Sequence, residues 1–124
     1  MNNIEDFRIF CLSMEGVTEK IPFGRFARRF DSTLVFYVKG HMFCIVDIDD
    51  FTSVTVRSTP GEIEDIKQTH TSVEAPVNPA LRYWIRLNLN GDITDSDICS
   101  YVRRACEIVR DKYAKKTGPA GRRD

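Results

Sequence analysis

Two apolar runs, Leu34-Val35-Phe36-Tyr37-Val38 and Met42-Phe43-Cys44-Ile45-Val46, stand either side of Lys39-Gly40-His41. Their length and β-branched, aromatic content suit strands, and Lys39-Gly40 suits a tight hairpin turn. Neither run alternates with polar residues, so both strands are expected at the centre of a sheet, covered on both faces. A third run, Ser53-Val54-Thr55-Val56-Arg57, alternates cleanly, with Val54 and Val56 turned inward. A fourth, Tyr83 to Leu89, buries Ile85, Leu87 and Leu89 and turns Trp84, Arg86 and Asn88 the other way.

Helices flank these strands. Asn3 caps a helix reaching about Met14, with Ile4, Phe7, Phe10, Cys11 and Met14 on one stripe and Gly16 as the stop. Thr59-Pro60-Gly61-Glu62 is a capping box with proline at the first helical position. The helix it opens has only Ile63 and Ile66 as anchors and is expected to be short and peripheral. Thr94 and Asp97 cap the last helix, whose stripe runs through Ile98, Tyr101, Val102, Ala105, Cys106, Ile108, Val109 and Tyr113. Val17 to Ser32 and Thr71 to Pro79 read as irregular. The expectation is a single α+β domain over residues 1–116, helix–βββ–helix–β–helix with an antiparallel sheet, and a disordered basic tail over 117–124. Its expected core includes Phe7, Phe10, Phe36, Ile45, Val56, Ile85, Leu87, Tyr101 and Val109.

With 124 residues there is room for one core only. No apolar stretch approaches the ~20 residues of a membrane span. The start, Met1 to Asp6, lacks the basic and apolar regions of a secretory signal, and the four cysteines show no paired spacing. A cytoplasmic protein with free thiols, without a membrane partner and monomeric, is therefore expected.

Eighteen basic and eighteen acidic residues balance to zero, which excludes a strongly basic nucleic-acid binder. Residues 47–75 nevertheless hold seven acids and two bases, while residues 76–124 hold ten bases and six acids. Such a dipolar chain retains a local basic face.

No catalytic or cofactor motif is present: there is no phosphate loop, dinucleotide fingerprint or zinc-protease helix. His41 and His70 are expected to be exposed and have no nearby nucleophile. Cys99 and Cys106, seven apart, are too widely spaced for the usual ligand pair, and Asp47, Asp49 and Asp50 read as a solvated turn. The protein is expected to be no enzyme, with no cofactor and no metal.

Three features point towards nucleic acid. In Phe23 to Phe30 three phenylalanines interleave Arg25, Arg28 and Arg29, a pattern that can neutralise phosphate and stack on bases; the alternative is a plug for the sheet with solvated arginines. Trp84, with Arg82 and Arg86 beside it and Arg57 on the neighbouring strand if the two pair, forms a candidate aromatic platform. The alternative is that Trp84 packs under a helix on the sheet's second face. The third feature is the C-terminal charge from Arg103 to Arg123, partly self-neutralised by an Arg103–Glu107 pair.

Cys11-Leu12-Ser13, Gly16-Val17-Thr18-Glu19 and Pro22-Phe23-Gly24 carry a family pattern. It continues through Leu34-Val35-Phe36, Val38, Gly40, Met42-Phe43 and Val46-Asp47-Ile48-Asp49, and through Trp84 seven residues before Gly91. Over roughly residues 4–116 the chain resembles the MmcQ/YjbR family. The resemblance implies a CyaY-like fold and a DNA-binding role through a double-wing arrangement. Family members commonly place a lysine and a histidine just ahead of the tryptophan, where this chain has Leu81 and Tyr83; Arg82 is the base that remains. The expected function is weak, largely sequence-independent DNA binding by Arg25, Arg28, Arg29, Arg57, Arg82, Trp84 and Arg86. The alternative is a protein- or small-ligand-binding module using the cleft around Trp84 and residues 21–30.

Overall fold

The computed structural model describes residues 3–21, 32–76 and 80–114. In chain order it has α1 (Ile4–Leu12), β1 (Thr18–Lys20), β2 (Thr33–Val38), β3 (His41–Asp47), β4 (Ser53–Arg57), α2 (Pro60–Thr69), β5 (Val73–Glu74), β6 (Trp84–Asn88) and α3 (Asp95–Ala114). The strands form one six-stranded sheet in the order β1-β2-β3-β4-β6-β5, antiparallel at every joint. The α+β architecture is as expected, and two short edge strands extend it.

The capping residues sit where the sequence puts them. Asn3, Thr59 and Thr94 accept hydrogen bonds from the backbone N–H groups of Asp6, Glu62 and Asp97. At the β2–β3 turn Lys39 and Gly40 both adopt positive φ, 55° and 78°. That is the handedness a two-residue hairpin needs to match the strand twist. Beyond the turn the register shifts: Tyr37 faces Met42 but Phe36 faces Cys44, which leaves Phe43 as an extra residue. This bulge lets two consecutive residues, Phe43 and Cys44, enter the core together. The absence of alternation in this strand thus has a local cause besides its central position.

One rung, Glu19–Phe36–Cys44–Val56–Ile85, crosses the sheet on the helix side. Phe7 and Cys11 of α1 and Ile98, Val102, Ala105, Cys106 and Val109 of α3 close over it. The next rung, Lys20–Val35–Ile45–Thr55–Arg86–Glu74, lies on the opposite face. Ile45 therefore leaves the expected core and is half-buried, and Phe10 and Tyr101 only pack against the core's margin. Three further expectations are corrected. Residues 18–20 and 73–74 are strands, held by their neighbours' register rather than by any pattern of their own. His70 is buried, its Nε2 3.0 Å from Tyr101 Oη. The partner of Glu107 is Arg104, which also binds Glu62 of α2, whereas Arg103 lies over the Phe10 ring.

Asp92 ties the start of β5 to the turn after β6. It accepts from the backbone N–H groups of Thr71 and Ser72 at 2.9 and 3.1 Å and from the Ser72 hydroxyl, while its own N–H donates to Ser72 Oγ at 2.7 Å. The Ser72 hydroxyl and then the Thr71 N–H hold this carboxyl down at about 2, below its ordinary 3.8. A carboxylate depressed on folding contributes stability that is present above its unfolded pKa and lost as pH falls through its folded one. An Asp92→Asn variant is therefore expected to be less stable than the parent at pH 7, with the gap closing between about pH 4 and pH 2. Melting temperatures measured over that range check it; a constant gap contradicts the assignment.

Candidate anion-binding cleft

The structure brings some of the expected site residues together and separates others. Arg57 and Trp84 pair directly across β4 and β6. Trp84 is only 8% exposed and stands outside the helix-side core cluster, so it is no stacking platform. The exposed ring is its neighbour Tyr83, 38% accessible. The Arg57 and Arg82 guanidinium carbons lie 5.5 and 4.9 Å from the Tyr83 ring centroid. Arg82 Nη2 also donates to Tyr83 Oη at 2.9 Å. That hydrogen bond and the arginine's charge lower the phenol pKa, with a smaller contribution from Arg57.

Arg86 is engaged elsewhere. Its Nε donates to Ser53 Oγ at 3.1 Å and lies 3.4 Å from Glu74 Oε1, so much of its charge is neutralised by the neighbouring edge strand. Arg25, Arg28 and Arg29, with Phe23, Phe26 and Phe30, lie outside the described residues.

Beside Arg57 a cleft of about 230 Å³ opens, lined by His41, Met42, Arg57, Trp84, Val109, Lys112 and Tyr113. The topology builds it. Antiparallel pairing sets the start of β3, the end of β4 and the start of β6 at one end of the sheet. The last turns of α3 reach the same end, where Val109, Lys112 and Tyr113 follow the i, i+3, i+4 spacing of one helical face. The His41 imidazole stacks on Tyr113 with centroids 3.4 Å apart and planes 6° from parallel. Lys112 Nζ lies 5.4 Å from the Tyr113 centroid. One Arg57 N–H donates to the Ser58 carbonyl oxygen, which leaves the rest of the guanidinium fork for a ligand.

Among the described residues no carboxylate lines the cleft, and neither Arg57 nor Lys112 forms an ion pair. The C-terminal end of α3 carries the negative end of the helix dipole, which Lys112 offsets. A polar rim of two cations and an imidazole over an apolar wall suits an anion with an organic substituent. His41, Lys112 and Tyr113 were not joined to this site by sequence reasoning, because only the strand register and the length of α3 bring them together.

The other features fit structural roles. A larger cavity of about 440 Å³ between α1 and the β1–β2 edge contains Arg8, but Glu5 and Glu19 both bind that arginine and consume its charge. Asp47 accepts from the backbone N–H groups of Asp49 and Asp50, which makes the acidic run a turn. The four thiols are free, three of them buried, and burial pushes the Cys44 thiol well up. No group of three or more His, Cys, Asp or Glu among the described residues is arranged to hold a metal ion. No described helix is long and apolar enough to cross a membrane.

A comparison with curated proteins yields no match. Among solved structures, the Deinococcus radiodurans protein DR2400, which carries the DUF419 family-model domain, is similar with a TM-score of 0.78 and 24% identity, over 91% of this chain and 82% of that one. A structural-genomics target protein from Pseudomonas syringae is similar with a TM-score of 0.68 and 13% identity, over 87% of this chain and 99% of that one. Both likenesses concern the fold. The YjbR family model matches residues 12–108, from the end of α1 through most of α3, and the chain belongs to the YjbR family.

Proposed function

We propose that the protein is a non-catalytic DNA-binding module of low sequence preference, acting as a monomer through the cationic, aromatic end of its sheet. One observation carries this reading: Tyr83 is an accessible ring with two guanidinium groups, those of Arg57 and Arg82, 5.5 and 4.9 Å from its centroid. Arginine neutralises phosphate, and an accessible ring accepts an unstacked base whatever its identity. Arg25, Arg28 and Arg29 are assigned the same phosphate-neutralising role on their sequence pattern alone. The buried Trp84 instead opens β6, directly after Arg82 and Tyr83.

A ring that must accept a free base favours single strands over duplex. The net charge of zero keeps affinity low, so binding is expected only at low salt. Fluorescence anisotropy with single-stranded and duplex oligonucleotides tests this. The Tyr83→Ala variant is expected to lose about 1–3 kcal/mol of single-strand affinity and little duplex affinity. Absence of binding by the parent at low salt, or an unchanged Tyr83→Ala affinity, contradicts the reading.

A further inference from the structure

We infer that the cleft lined by His41, Arg57, Lys112 and Trp84 is a receptor for a phosphomonoester, a ligand distinct from the backbone diester of the preceding reading. Three polar side chains reach the cleft from three different elements: His41 from β3, Arg57 from β4 and Lys112 from α3. Donors supplied by three elements around one cleft suit a tetrahedral group with several terminal oxygens better than a planar carboxylate with two. A phosphomonoester near neutral pH carries close to two charges and three acceptor oxygens, whereas a diester within a strand has one charge and two free oxygens. With two cations and, among the described residues, no carboxylate in its lining, the cleft matches the former.

The remaining wall is apolar and aromatic. Trp84, Met42 and Val109 face the space left beside the donors, and the stack on Tyr113 fixes the orientation of the His41 ring. The volume, about 230 Å³, is below the ~300 Å³ where pockets for drug-sized ligands begin. It admits a phosphate with one small substituent rather than a whole dinucleotide. Two sources supply that chemistry: a small phosphorylated metabolite, or the phosphorylated end of a nucleic-acid strand. In the second case Arg57, shared with the Tyr83 platform, links the terminal phosphate to a base stacked outside.

Trp84 is the only tryptophan of the chain and lines the cleft, so the site carries its own reporter. Phenyl phosphate is titrated into the full chain by calorimetry, with tryptophan fluorescence to locate binding and phenol as the uncharged control. A saturable signal for phenyl phosphate, absent for phenol, is expected. Lys112→Gln, at an exposed position, is expected to weaken it about tenfold, the loss of one charge-assisted hydrogen bond. Arg57→Lys, which keeps the charge and loses the fork, is expected to weaken it less.

Two single-stranded oligonucleotides of identical sequence, one 5′-phosphorylated and one 5′-hydroxyl, then identify the source. A preference of about tenfold for the phosphorylated end, abolished by Lys112→Gln, assigns the strand terminus. Equal oligonucleotide affinities beside retained phenyl phosphate binding assign a small metabolite. No saturable signal with phenyl phosphate at millimolar concentration, equal response to phenol, or unchanged affinity in Lys112→Gln overturns the proposal. Failure of the 5′-hydroxyl oligonucleotide to bind, with phenyl phosphate binding intact, removes only the DNA reading and leaves this one standing.

Discussion

Replacing Phe7 by alanine is expected to destabilise the protein by about 3–5 kcal/mol, the usual cost of truncating a fully buried phenylalanine. Phe7 has no exposed surface and is the main anchor of α1. Its ring meets Phe36 edge-on at 5.8 Å and Phe51 at 5.4 Å. Removing it deletes these aromatic contacts and leaves a cavity between helix and sheet, because Phe36 is pinned by strand pairing on both sides. Since domains of this size have ~5–15 kcal/mol of stability, the variant should be close to unfolding under mild denaturant. Urea unfolding measures it, with the Ile9→Ala variant as control: Ile9 is 62% exposed on the same helix and is expected to change stability by less than about 0.5 kcal/mol. A Phe7→Ala loss below about 1 kcal/mol contradicts the docking of α1 against β2.

The second large effect is expected at Gly91. A Cβ built there meets Ser72 Oγ at 1.7 Å and Ser72 Cβ at 2.3 Å. The closer atom is a short side chain, but the next is fixed to the backbone, so rotation of the hydroxyl gives no relief. Gly91→Ala must move the turn away from Ser72 and disrupt the hydrogen bonds through which Asp92 holds Thr71 and Ser72. The expected cost is about 2–4 kcal/mol, from overpacking and from lost hydrogen bonds. Combining it with Ser72→Gly removes the obstructing atoms, so the double variant should be less destabilised than the sum of the two singles. Strict additivity of the two changes contradicts the close approach.

The order of the three main helices and four longer strands was legible because each rests on local chemistry. Asn3, Thr59 and Thr94 announce helix starts, Lys39-Gly40 a turn, and Val54/Val56 a buried face. Elements whose existence depends on a partner were not legible. Three residues at 18–20 and two at 73–74 are too few to show a period, and they are strands only because β2 and β6 offer unpaired edges. The bulge at Phe43 was hidden for a related reason: a run apolar at every position fits either two covered faces or a shifted register.

For the candidate site, the sequence pointed to Trp84 as the accessible ring, and the structure buries it. Trp84 drew the platform role because it alternates out of phase with Ile85 and Leu87, but alternation gives the face of a sheet and not its exposure. The accessible ring belongs to Tyr83, immediately before the strand. Arg86 was grouped with Arg57 and Arg82 by proximity in sequence, yet the pairing of β5 places Glu74 opposite it. His41 and Lys112 are 71 positions apart in number and meet only through the fold.

Under the proposed function, Arg57 and Arg82, both beside Tyr83, neutralise phosphates of a bound strand. The most direct measurement is the salt dependence of single-stranded DNA affinity for the parent and for the Arg57→Gln/Arg82→Gln double variant. Each lost phosphate contact lowers the slope of log affinity against log salt by about 0.7 for single strands. The parent slope is expected at about −2 to −3, made shallower by about 1.4 in the double variant. An identical slope in the two proteins, or an affinity in the parent that does not change with salt, contradicts it.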